Sequence, residues 1–126
     1  MKEQIIKQWF ERGKHDLEVA KILLSEEYFD IVLFHLQQAV EKYIKGFLIY
    51  NGWQLRKIHD LELLITEAVA FDKKFREYLD FGRKLTAFYY EERYPPGAIF
   101  DYSKKEIEEL IETTEEIIDK LKRVIQ

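Results

Sequence analysis

His35, Gln38, Lys42 and Lys45 follow one another at spacings of three, four and three. At about 100° per residue, a helix gathers such positions within an arc of roughly 80°, with Glu41 at its border. Two ammonium groups one turn apart can meet an anion. An imidazole and a neutral amide beside them can hydrogen-bond a base or a ribose. The same stripe also fits a solvated helix face or polar packing between helices. Two other places carry comparable potential. His59 stands directly before Asp60, a residue suited to cap a helix, and an imidazole there is placed to hydrogen-bond another segment. Arg93 and Tyr94 precede Pro95 and Pro96. A guanidinium on a rigid turn suits phosphate or carboxylate, although arginine at a helix end also offsets the macrodipole and proline simply stops the helix. The candidate ligand-binding set is therefore His35, Gln38, Lys42, Lys45, His59, Arg93 and Tyr94.

Other chemistries lack their residues. The chain has no cysteine, so thiolate nucleophiles, disulfides and Cys-based zinc sites are excluded. No Glu-x-x-His pair, phosphate loop, GxGxxG or GxSxG occurs. The glutamates at 108, 109, 112, 115 and 116 read as a solvated face. No catalytic set, metal site or cofactor is expected. Phe88, Tyr89 and Tyr90 read as core and interface rather than a base-stacking platform.

Five helical segments position these residues. The first runs over about Lys2 to Leu24, with Ile6, Phe10, Gly13, Leu17, Ala20 and Leu24 on one face. The second runs from Asp30, a plausible N-cap, to Tyr50, where Asn51-Gly52 stops it. Asp60 caps a short third helix and Asp72 a fourth that ends near Glu92. Ser103 with Glu106 forms a capping box for the fifth. Short connections between long helices favour antiparallel neighbours. The expected fold is all-α, an antiparallel four-helix bundle with an additional short helix, in a single domain over residues 1–126.

Composition agrees. Of 126 residues, 47% are hydrophobic and 35% charged, which excludes disorder. No apolar stretch is long enough for a bilayer, and the charged N-terminal segment lacks the apolar core of a signal peptide, so a cytoplasmic protein is expected. The formal charge of -4 argues against strong general nucleic-acid binding.

In order, the chain carries Asp16-Leu17 with Ala20, Tyr28-Phe29-Asp30, Gln37-Gln38-Ala39-Val40-Glu41-Lys42 with Lys45, His59-Asp60-Leu61 with Leu64, and Arg93-Tyr94-Pro95. Together these resemble the prokaryotic HEPN domain across nearly the whole chain. The resemblance implies a homodimer similar to the helical domain of nucleotidyltransferases. It also implies nucleotide binding and a minimal nucleotidyltransferase partner in a toxin–antitoxin-like pair. Many relatives are metal-independent ribonucleases with an Arg-x4-6-His motif across the dimer interface. That motif is absent: positions 98 to 100 after Arg93 are Ala98, Ile99 and Phe100, and Arg12, Arg56, Arg76 and Arg83 lack a suitably spaced histidine as well.

Three functions follow as expectations. The first is a non-catalytic homodimer that binds a nucleotide or similar anion. The second is a divergent ribonuclease using His35 or His59 as general acid or base. The third is a structural interaction module whose polar block only builds a dimer seam.

Overall fold

The computed structural model describes residues 2–92 and 103–125. Five α-helices follow in order: α1 (Lys2–Leu24), α2 (Phe29–Tyr50), α3 (Leu61–Phe71), α4 (Leu79–Glu92) and α5 (Lys104–Ile125). A 3-10 turn, Lys73–Tyr78, leads into α4. The all-α bundle with one short extra helix is thus as the sequence predicts.

Local chemistry sets most of the boundaries. The Asp60 side chain accepts from Leu63 N at 3.2 Å, and Thr86 Oγ1 on α4 accepts from Leu61 N at 2.8 Å, so two orphan donors of α3 are satisfied. Ser103 and Glu106 form the reciprocal box, with Ser103 Oγ accepting from Glu106 N at 3.2 Å. At the end of α2, Gly52 N donates to Ile49 O and Trp53 N to Leu48 O. This double closure needs a left-handed residue, and Gly52 has φ +93°. Asp30 departs from expectation. The cap lies two residues earlier, at Tyr28, which makes no side-chain cap bond, and Asp30 lies in the first turn, where its charge still favours the helix dipole. Asp72 does cap, accepting from Lys74 N at 3.1 Å, but it opens the 3-10 turn rather than α4 itself.

Helix α2 is the axis of the bundle and packs against α1, α3, α4 and α5. From Ala39 to Leu48 every residue except Lys42 is buried, so here the helix has hardly any solvent side. Phe47 meets Phe75 edge-on at 5.2 Å in the core, a favoured aromatic geometry. The contacts of α1 run down the chain as those of α2 run up: Lys2 with Tyr50, Gly13 with Tyr43 and Asp16 with His35. The two helices are therefore antiparallel.

Their close approach rests on glycine. A Cβ at Gly13 would lie 2.7 Å from the Tyr43 ring and 3.2 Å from the Ala39 carbonyl oxygen. Because Tyr43 is buried and the carbonyl is backbone, neither has much room to give. Gly13→Ala is expected to lower stability by about 1–3 kcal/mol despite alanine's better helix propensity, as read from a urea unfolding midpoint.

A second staple joins the 3-10 turn to α5. The Tyr78 hydroxyl donates to Glu116 at 2.5 Å, and Lys120 Nζ donates to Glu77 at 3.0 Å while lying 4.9 Å from the Tyr78 ring centroid. Burial first, and then the bond to Glu116, push the Tyr78 phenol from its ordinary 10.0 up to about 12. The folded state holds the protonated phenol. Its contribution is complete below pH 10 and is lost as pH rises through about 12. A phenolate absorbance titration should show one tyrosine ionising in that range, and that component should be missing in Tyr78→Phe.

Candidate functional site

Four of the predicted site residues share one surface of α2, and each is already held. The polar side chains gather around two buried carboxylates, neither of which belonged to the predicted set. Asp16, from the inner face of α1, accepts from His35 Nδ1 at 2.8 Å and from Lys42 Nζ. Glu41, on α2 itself, accepts from Lys45 Nζ at 3.0 Å, from His59 Nδ1 at 3.1 Å and from Gln37 Nε2 at 3.2 Å. Gln37 Nε2 also donates to the His59 carbonyl at 2.8 Å, and Gln38 donates to Gln37 Oε1 at 2.7 Å. The structure thus brings His35 and Lys42 together on Asp16. It brings Gln38, Lys45 and His59 together through Gln37 and Glu41. Arg93 and Tyr94 lie outside the described residues.

The two clusters repeat one composition: a carboxylate, an imidazole bonded through Nδ1, and a lysine. An ionised carboxylate only accepts, so each Nδ1 carries the hydrogen and the tautomer is set. In His35 this leaves Nε2 as the ring nitrogen available to meet a ligand. Burial separates the two lysines. Both carboxylates are buried, at 8% for Asp16 and 5% for Glu41, and the difference lies in the donors: Lys45 is 4% exposed, against 22% for Lys42, 24% for His35 and 47% for His59. Lys45 is enclosed between Glu41 and the Trp9 ring, 5.7 Å from its centroid. It fixes Glu41 rather than offering a charge to solvent. Lys42 and His35 are the half-open members on Asp16, and His59 is the open one on Glu41.

Burying ion pairs is costly, and isosteric apolar packing is often as stable. Charged side chains are almost never buried unless paired. Two such clusters along one helix therefore place polar groups at little net gain in stability. What the arrangement can do chemically is present an oriented imidazole and an ammonium held by one carboxylate. The ammonium binds anions, and the imidazole donates, accepts or transfers a proton.

Periodicity alone passed over Asp16, Gln37 and Glu41 as anchors, although a signal was there. Asp16 shares the α1 face of Gly13 and Ala20, and Gln37 and Glu41 follow Leu33 at spacings of four on α2. A polar residue in core register is the mark of a buried network.

A groove of about 260 Å³ adjoins the first cluster, lined by Gln8, Glu11, Arg12 and His15 of α1 and by Lys42. Among the described residues no group of three or more His, Asp or Glu side chains is arranged as a metal site, and no helix is long and apolar enough to cross a membrane.

Comparison with known proteins places this architecture. The family model described as "HEPN domain" matches residues 6–124. The chain is 26% identical over 130 aligned residues to "Putative toxin MJ1304" of Methanocaldococcus jannaschii, with 92% of this chain and 85% of that protein covered. Among solved structures it is similar to ST0689, described as an archaeal HEPN homologue, with 27% identity and a TM-score of 0.76 over 96% of this chain and 98% of the other. TT1696 from Thermus thermophilus has the same fold, with 23% identity and a TM-score of 0.78 over 94% and 96% of the two chains. With a match that runs from α1 into the last turns of α5, this chain is a member of the HEPN domain family.

Proposed function

We propose that this HEPN domain protein is a homodimer that binds a nucleotide or similar anionic ligand and acts with a minimal nucleotidyltransferase in a toxin–antitoxin-like pair. One observation carries the ligand reading: the buried Asp16 carboxylate holds both His35 and Lys42, and leaves the imidazole and the ammonium half-open side by side. Groups fixed before binding lose little freedom when a ligand arrives. The similarity to "Putative toxin MJ1304" supports the toxin–antitoxin side. Exposed apolar side chains, among them Tyr28, Ile31, Leu63 and Phe71, are surface that a second copy would cover. Light scattering at dilute concentration tests the dimer, and recovery of a nucleotidyltransferase from the native host tests the partner.

Calorimetric titration with ATP, GTP, CTP and UTP tests the ligand. At least one should bind more tightly than inorganic phosphate, and affinity should fall when Lys42 is changed to Gln. If all four match phosphate, the nucleotide reading fails.

A second reading, metal-independent RNA cleavage without the Arg-x4-6-His motif, draws on the same dyad. A carboxylate bonded to Nδ1 orients an imidazole for general acid–base work through Nε2, and Asp16 stands in that relation to His35. A labelled RNA assay decides it. Cleavage must be present in the native chain and lost in His35→Ala or His59→Ala, and activity unchanged by either removes this mechanism.

A further inference from the structure

The groove beside Lys42 has a composition that the α2 stripe alone does not explain. Gln8, Glu11, Arg12 and His15 recur at spacings of three and four, so α1 turns all four to one side, and Lys42 closes the groove from α2. Arg12 and His15 are exposed, and neither makes a hydrogen bond or an ion pair among the described residues. Elsewhere, Arg56 is engaged by Glu67, and Arg83 by Glu62 and Asp80. Lys42 contributes a fixed point: its ammonium is tied to Asp16, yet an ammonium has three donors, so others remain for an anion. Gln8 adds a neutral amide donor. Glu11 is the one lining carboxylate and would repel an anion seated near it. The volume of about 260 Å³ lies near the lower end of ligand clefts, roughly 300 Å³, which suits a phosphate chain better than a whole nucleotide.

We infer that this α1–α2 groove is a phosphate subsite, in which Arg12, His15 and Lys42 hold the di- or triphosphate of a ligand. The assignment rests on the reading that Lys42 faces the ligand, and deepens it by naming α1 as the helix that takes the phosphates. The guanidinium offers a fork of donors matched to phosphate oxygens, and Lys42 supplies a point charge across the groove.

Pyrophosphate is the probe, with the ring-proton NMR signals of the three histidines as reporters. The His15 signal should move saturably. Arg12→Gln should weaken pyrophosphate binding about tenfold or more, as expected for a lost charge-assisted contact. Glu11→Gln should tighten it. Lys14→Gln is the control, because Lys14 is an exposed neighbour that does not line the groove, and it should change affinity less than about twofold. A stationary His15 signal, or equal weakening by Arg12→Gln and Lys14→Gln, overturns the subsite. ATP in the same assay separates the two proposals. ATP no tighter than pyrophosphate, with His15 responding, leaves the subsite standing and ends the nucleotide reading. Tight ATP binding with His15 unmoved does the reverse.

Discussion

Glu41→Ala should lower stability by about 3–5 kcal/mol, the cost of leaving a buried charge without its partner. The Lys45 ammonium is 4% exposed and its ion-pair partner is Glu41 at 3.0 Å, so without the carboxylate it must either desolvate unpaired or drag α1 away from α2. The same change removes an acceptor from His59 and one of two from Gln37. By contrast, the double change Glu41→Leu with Lys45→Met should fall within about 1 kcal/mol of the native chain, because apolar packing commonly replaces a buried ion pair without loss. Urea unfolding of Glu41→Ala, of Glu41→Leu and Lys45→Met singly, and of the double variant measures both effects. A loss below about 1 kcal/mol in Glu41→Ala would mean that Lys45 reaches water, and that Glu41 is not the anchor of this cluster.

Asp16→Ala should separate stability from binding. Its two partners are half-open and can be rehydrated, so the stability cost is smaller, about 1–3 kcal/mol. The larger effect falls on the ligand. With no carboxylate beneath them, His35 and Lys42 lose their fixed positions, and nucleotide affinity should drop about tenfold or more as the cost of ordering them returns. Asp16→Asn is the informative companion. An amide keeps the shape but offers only one acceptor oxygen, and its nitrogen meets a donor, so it should rescue stability in part and binding little. Calorimetry beside thermal unfolding reads both. Native affinity in Asp16→Ala would show that the carboxylate serves the fold alone.

How much of this was legible beforehand follows from where each residue's partners lie in the chain. Asp60, Asp72, Ser103 with Glu106, and Asn51-Gly52 act on backbone groups within a few residues of themselves, so sequence places them well. The cap was misplaced by two residues, at Asp30 instead of Tyr28, because the start of α2 has no side-chain cap to mark it. The α2 stripe was legible as a grouping, since 35, 38, 42 and 45 obey helical spacing. Its division between two carboxylates was not. Asp16 lies 19 residues from His35 and 26 from Lys42, and His59 lies 18 from Glu41. Only tertiary packing decides those pairings. A helical wheel also assumes a solvent side, which α2 mostly lacks because it is the central helix. Lys45 therefore looked like a surface cation and is instead enclosed. The family resemblance included Asp16, Gln37 and Glu41 among its matching positions but gave them no role.

If the carboxylate-backed polar surface on α2 receives a ligand, its imidazoles must sense that ligand. The decisive experiment follows the His35 and His59 ring signals during an ATP titration of the native chain. The His35 signal should move saturably, with the same midpoint as the heat of binding, and His35→Gln should weaken the interaction. Saturating ATP that leaves both signals in place would contradict ligand binding at this surface, and the two buried clusters would then be fixtures of the bundle alone.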